Sequence, residues 1–108
     1  MKLILGTANF GQNYGLKQFR AKEKEIKSIL NICKNEKIKH IDTAYNYGET
    51  EKILGLNDAK KFKVCSKIPE LPSNIHTDKI DRWVKNIFFK SLKKLKIKKI
   101  DTVLFHRT

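Results

Sequence analysis

Short continuous apolar runs alternate along this chain with longer stretches in which apolar residues recur every three or four positions. The first run, Leu3-Ile4-Leu5, sits in a strand expected over Lys2–Gly6. A continuous run, rather than strict alternation, marks a strand covered on both faces. Gly6 to Arg20 follows as a long loop containing Gly6, Asn9, Gly11, Asn13 and Gly15. A loop of that length inside a compact unit is usually functional or mobile. Ile26, Ile29, Leu30 and Cys33 then share one face of a helix over Ala21–Glu36. Ile38–Asp42 is the second strand, Glu49–Leu56 a short second helix, and Lys63–Lys67 the third strand. Pro69 and Pro72 bar a central strand from continuing beyond that point. Thr77 caps a third helix over Asp78–Leu95, whose stripe is Ile80, Trp83, Val84, Ile87, Phe88, Leu92 and Leu95. Ile100–His106 closes the series as a strand around Val103-Leu104-Phe105.

The order is β-α-β-α-β-α-β. Strands joined by helices run parallel, with right-handed connections. The pattern defines an α/β fold and one domain over residues 1–108, with no linker or low-complexity tract. By itself it leaves two architectures standing, half of a (β/α)8 barrel and an open doubly wound sheet. No Gly-x-Gly-x-x-Gly follows the first strand, which argues against a dinucleotide-binding sheet of the Rossmann type.

Charge and cysteine usage narrow the picture. The formal charge of +13 invites a nucleic-acid reading. However, the lysines are spread over expected helix surfaces, and the arginines are only Arg20, Arg82 and Arg107. No basic arm, zinc-finger spacing or helix-turn-helix signal accompanies them. Solvated lysine faces account for the charge without a nucleic-acid partner. Cys33 and Cys65 read as buried thiols, with neither metal-ligand spacing nor a disulfide framework. No stretch is long and apolar enough to span a membrane, and Met1–Leu5 is too short for a signal peptide. The default location is a reducing cytoplasm.

The candidate chemistry lies in His40 to Gly55. Asp42, Thr43 and Asn46 all hydrogen-bond nearby backbone readily, so extended structure stops there. Gly48 permits an unusual backbone angle, Glu49 or Thr50 opens a helix, and Gly55 ends it. An acid and a phenol, Asp42 and Tyr47, therefore lie five residues apart at the C-terminal end of a strand. In parallel α/β proteins that end carries the chemistry.

The run Asp42-Thr43-Ala44, Tyr47-Gly48, Thr50-Glu51 and Leu54-Gly55 resembles the aldo-keto reductases. They carry Asp-Thr-Ala-x-x-Tyr-Gly, then a Ser/Thr-Glu helix start and Leu-Gly. Leu5-Gly6-Thr7-Ala8 with Gly11 is similar to the family's first strand and loop. Val64-Cys65-Ser66-Lys67 is similar to the strand with its catalytic lysine. Ser91–Leu95 and Ile100–His106 are similar to the helix and strand leading to its active-site histidine. Four pieces in order, each at a strand end, make a specific signal. The resemblance covers the whole chain but only the first half of the family's (β/α)8 barrel, which typically needs about 250 residues. The implied fold is half of such a barrel. Two helix ends depart from the family pattern, because Glu36-Lys37-Ile38 and Leu95-Lys96-Ile97 lack a closing glycine. If the geometry stays the same, each loss costs on the order of 1 kcal/mol. His106-Arg107-Thr108 also lacks the proline that often follows the histidine.

The resemblance implies an NADPH-dependent reduction of a carbonyl to an alcohol. Tyr47 would be the general acid, Lys67 its tuning cation, Asp42 the partner of Lys67, and His106 the group orienting the carbonyl. A tyrosine, with a free pKa near ~10, needs a nearby cation to release its proton at neutral pH. Gly6, Thr7 and Asp42 would meet the nicotinamide end of the cofactor. No metal is implied. Taken singly, Asp42 reads as a strand-end cap, Tyr47 or Tyr45 as packing, Lys67 as one lysine of many, and His106 or His40 as a core histidine. His76 falls in a polar loop and carries no assignment. The functional reading rests on the set.

Half a barrel lacks the last strands, from which phosphate sites in this barrel class generally come. NADPH binding is therefore expected to be weak or absent without the C-terminal half. The open sheet would expose two edges and apolar side chains on its inner face. The chain is thus expected to be a truncated N-terminal half, a homodimer that closes a barrel, or one of two different chains that do so. The alternatives to a reductase are a catalytically inactive half-barrel or interaction module and, last, a basic nucleic-acid binder.

Overall fold

The computed structural model of the chain describes residues 3–13 and 20–106. The start of the first strand at Lys2, the loop around Gly15, and Arg107-Thr108 lie outside the described residues. The elements are β1 (Ile4–Gly6), α1 (Glu23–Asn35), β2 (His40–Asp42), α2 (Thr50–Leu56), β3 (Lys63–Ile68), α3 (Ile80–Leu95) and β4 (Thr102–Phe105). Two 3-10 turns, Ala59–Lys61 and Thr77–Lys79, precede β3 and α3.

All four strands are parallel and stand in the order β1-β2-β3-β4. Each crossover therefore steps the sheet in one direction, as in a barrel. A doubly wound sheet reverses its strand order part-way. The register places Leu5, Ile41 and Val64 side by side, and Gly6, Asp42, Cys65 and Thr102 side by side. Successive side chains alternate faces. The first row faces the helices, where Ile41 and Val64 are buried. The second row belongs to the opposite, inner face, together with Ile4, His40, Lys67 and Leu104.

The core lies between sheet and helices. α1 buries Ile26, Leu30 and Cys33, α2 buries Leu54, and α3 adds Leu95. Phe10, Ile41, Phe62 and Val64 complete the cluster. Full burial of a side chain such as Leu54 or Leu95 contributes about 1.5–3 kcal/mol. The α3 stripe is only partly covered. Ile87, Ser91 and Leu95 are buried, while Trp83, Val84, Phe88 and Leu92 are half-buried.

Several local features differ from the sequence expectation. Thr77 does not cap α3 but opens the 3-10 turn before it, and Lys79 stands at the helix N-cap. Gly55 does not end α2 but lies inside its last turn, where a Cβ would run into the Lys94 carbonyl of α3. The glycine thus serves close helix–helix approach. Cys65 is half-buried, because its side chain belongs to the inner face. The edge strands are not covered on both faces. Ile4 is 55% exposed, Leu104 50% and Phe105 65%. Among the described residues no helix lies beyond β4 to cover Val103 and Phe105, which align with the buried Ser66 and Ile68 on the helix side.

The missing helix-closing glycines leave the geometry unchanged. Lys37 and Lys96 adopt left-handed backbone angles, φ 60° and 55°. Behind them Ile38 N–H donates to the Cys33 carbonyl at 2.8 Å, and Ile97 N–H to the Leu92 carbonyl at 3.2 Å. These are Schellman endings with lysine in the glycine position. Ile38 and Ile97 pack against the core immediately after each, which holds the strained turn in place.

Candidate active site

The site begins with the parallel ladder at the C-terminal ends of β2 and β3. Thr43 N–H donates to the Cys65 carbonyl at 2.8 Å, and Tyr45 N–H to the Lys67 carbonyl at 3.0 Å. The chain after β2 is thereby laced to β3 before it turns. Tyr47 N–H then donates back to Ala44, and Gly48 takes φ 56°. Glu49 N–H finds the Gly11 carbonyl at 3.1 Å, so the loop after β1 supports the turn. On the other side, His106 N–H donates to the Ile68 carbonyl at 2.7 Å and fixes the end of β4.

This backbone brings together all four residues singled out by the sequence. Lys67 Nζ donates to Asp42 Oδ1 at 2.8 Å and to the Thr43 carbonyl at 3.0 Å. The lysine side chain is 16% exposed and the aspartate 37%. The ammonium lies 5.3 Å from the centre of the Tyr47 ring. The His106 ring stands edge-on to Tyr47, centroids 5.5 Å apart. Burial works to lower the Lys67 pKa, but the hydrogen bond and charge of Asp42, with help from Tyr47, outweigh it and hold the ammonium above its ordinary value. The arrangement is thus a persistent cation beside a phenol, with an imidazole packed edge-on to the same ring.

Tyr45, the neighbouring phenol, is drawn away from this cluster. Its ring lies under Lys94 of α3, 4.5 Å from the ammonium. His40 sits at the start of β2, in register with Ile4 and Lys63, and His76 leads into the turn before α3. Gly6 aligns with Asp42 across the sheet, and open space surrounds the position a Cβ would take. Thr7 is fully buried, and its hydroxyl donates to the Asp42 carbonyl at 2.8 Å.

Two participants escape the sequence reading. Asn46, taken there only as a loop former, presents Oδ1 2.7 Å from His106 Nδ1. Glu51, taken as part of a helix start, is 2% exposed behind β3. Ser66 donates to its Oε2 at 3.3 Å, while Oε1 has no partner among the described residues. Burial pushes the Glu51 carboxyl up, against the opposing effects of Ser91, Lys94 and Ser66. The available signal was Ser91, a polar residue four positions from both Ile87 and Leu95 on the α3 stripe. Burial, then the charge of Asp42, also raises the Cys65 thiol. Among the described residues no group of acids, histidines and cysteines is placed to hold a metal. No described helix is long and apolar enough to cross a membrane.

The lysines are less evenly spread than the sequence suggests. Lys39, Lys60, Lys61, Lys63, Lys96, Lys98 and Lys99 line a concavity of about 540 Å3 at the N-terminal ends of the strands, opposite the site. They come from the segments between elements and from the first residue of β3, not from α-helix faces.

The model of the aldo/keto reductase family matches residues 2–108. The fold resembles solved structures of that family. A Pseudomonas aeruginosa protein assigned to the aldo-keto reductases is 28% identical, with a TM-score of 0.77, over 96% of this chain and 42% of its own. A thermostable aldo-keto reductase solved with the inhibitor epalrestat is 25% identical, with a TM-score of 0.62, over 95% of this chain and 37% of its own. An aldo-keto reductase from Klebsiella pneumoniae, solved with NADPH, is 20% identical, with a TM-score of 0.66, over 95% and 34%. The chain spans about two-fifths of the length of the first of these, and its parallel strands and helices match part of that barrel. No curated protein matches it.

Proposed function

This chain belongs to the aldo/keto reductase family, and from that premise we propose that it supplies the proton-handling half of an NADPH-dependent carbonyl reductase. The substrate class is an aldehyde, ketone or sugar-like carbonyl. The observation that carries the reading is the Lys67 ammonium, 2.8 Å from the Asp42 carboxylate and 5.3 Å from the Tyr47 ring centre.

When bound, NADPH supplies the hydride for the carbonyl carbon. The carbonyl oxygen must gain a proton as it gains charge. Tyr47 gives that proton from its hydroxyl, and the phenolate left behind faces the Lys67 cation. Asp42 holds the ammonium in place and in its charged form. His106, edge-on to the Tyr47 ring, orients the substrate oxygen. A positioned proton donor typically contributes about 10²–10⁴ in rate.

The residues present fit one end of the cofactor. The open space over Gly6 leaves room beside Asp42 for a flat ring. The Thr7 hydroxyl and N–H both donate to the Asp42 carbonyl and its own carbonyl accepts from Thr50, so in this reading Thr7 would hold the strand end beside the cofactor rather than hydrogen-bond it. The phosphates and adenine fall to the last strands of a complete barrel. NADPH binding by these 108 residues alone is therefore weak in this reading. A second reading, an inactive half-barrel or interaction module, draws on the exposed Ile4 and Leu104 of the inner face. Something must cover them, whether further barrel, a second copy or another chain.

The test follows NADPH absorbance in the presence of an aldehyde, for the native chain and for Tyr47→Phe. Substrate-dependent loss in the native protein, abolished in the variant, is expected. Equal rates in both would refute the role of Tyr47. A folded, soluble preparation with no NADPH binding would favour the inactive half-barrel.

A further inference from the structure

We propose that the lysine-lined concavity at the N-terminal ends of the strands is a binding site for a multiply phosphorylated anion, gripped through its phosphates. It stands at the opposite end of the sheet from Tyr47 and Lys67 and does not depend on the reductase reading.

The site grows out of a repeated local pattern. Each segment leading into β2, β3 or β4 sets lysines on both sides of one apolar residue: Lys37-Ile38-Lys39, Lys61-Phe62-Lys63 and Lys96-Ile97-Lys98. Ile38, Phe62 and Ile97 turn into the core, while the flanking lysines are exposed. Parallel pairing then places the three segments side by side, because neighbouring strands stand about 4.8 Å apart. All of these lysines but Lys37 line the concavity, joined by Lys60 and Lys99.

The backbone beneath the lysines is fixed. Lys63 N–H donates to the Lys39 carbonyl at 2.7 Å, and Asp101 N–H to the Val64 carbonyl at 2.9 Å. These two bonds tie the three segments to one another. Phe62 and Val64 belong both to the lining and to the buried core, so packing holds the floor. The volume of about 540 Å3 falls within the range of about 300–1,000 Å3 usual for small-molecule sites.

The charge there is unbalanced. Asp101 is the one acid in the lining, and among the described residues none of the lining lysines forms an ion pair. Gathered like charges repel and cost stability. The packing gives no reason to group them, whereas a bound polyanion does. The donor set narrows the anion. Ammonium groups are point charges that suit phosphate, and no arginine lines the concavity to grip a carboxylate with two parallel bonds. Nor does an exposed aromatic ring line it for a base to stack on, so recognition falls to the phosphates.

The test titrates inorganic tripolyphosphate into the chain by calorimetry and follows a labelled single-stranded RNA by fluorescence anisotropy, both at low salt. Saturable binding is expected. A variant with Lys60→Gln, Lys63→Gln and Lys98→Gln should bind about tenfold more weakly, the loss expected of three exposed ion pairs. For RNA, each lysine removed should also reduce the salt dependence of log affinity by about 0.7 in slope. Arginine at the same three positions should retain binding. A control with Lys24→Gln, Lys27→Gln and Lys90→Gln on α1 and α3 has the same net charge and should bind as the native chain does. In low-salt urea melts the concavity variant should be at least as stable as the native chain, because repulsion is relieved. Lost binding is then not lost folding. Binding of tripolyphosphate marks a compact ligand, and binding of RNA alone marks a nucleic-acid strand. No saturable binding of either, an equal loss in the helix-face control, or equal affinity for a polyglutamate peptide would overturn the proposal.

Discussion

Replacing Asp42 by Asn tests whether the ion pair at the centre of the site holds the fold as well as the chemistry. Asparagine keeps an oxygen where Oδ1 now accepts from Lys67, so shape and acceptor stay and the charge goes. At 2.8 Å and an effective dielectric constant of about 20, the direct attraction is about 6 kcal/mol. Desolvation offsets most of that, and a hydrogen bond involving charged groups nets about 1.5–3 kcal/mol. The aspartate side chain is 37% exposed, and solvent screening brings the figure to about 1–2 kcal/mol. In a domain of this size that lowers Tm by about 5–15 °C. Urea denaturation at pH 7 measures it. The pH dependence supplies a second readout. The folded-state Lys67 pKa is raised above 10.5, so its stabilisation is fully present below pH 10.5 and is lost as pH climbs through the folded value. The difference between native chain and variant should shrink in strong alkali. In the variant the opposing effect of burial remains, so the Lys67 titration, followed by NMR of its Cε and Nζ, should move down. An unchanged urea midpoint at pH 7 together with an unchanged lysine titration would refute the reasoning.

Further outcomes follow from the helix ends and the buried acid. Lys96→Gly and Lys37→Gly each relieve a left-handed lysine, and each should stabilise by about 1 kcal/mol. The two gains should add in urea melts, and a loss in either variant would show that the lysine side chain contributes more than its backbone strain costs. Glu51 has a folded-state pKa above 4.5, so its favourable contribution is complete below that pH and is lost as pH rises through the folded value. Glu51→Gln stays neutral throughout, so the native chain should lose stability relative to it between about pH 4 and pH 7. Urea midpoints at both ends of that window check the sign, and a relative gain by the native chain would contradict it.

The alternation of strands and helices was legible because local periodicity encodes it. Ile26, Leu30 and Cys33 can face one core only from a helix, and Val64 sits in a short run that can only be a strand. The Schellman endings were not legible, since Lys37 and Lys96 stand where the sequence reading looked for glycine, and only the structure shows their left-handed angles. The candidate tetrad was legible as a set of residue types at strand ends, though not as a geometry. The role of Gly55 was hidden, because the carbonyl it makes room for belongs to Lys94, on a helix distant in sequence. Glu51 looked like any helix-opening acid until Ser66 and α3 closed over it. Asn46 and His106 meet only through the parallel pairing of β3 with β4. The sequence by itself determined which segments are strands and helices and which side chains stand at the strand ends, because those depend on near neighbours. The tertiary structure alone decided the strand order, the face each side chain takes, and which polar groups share a proton or a charge. Those depend on contacts between segments that no local pattern records.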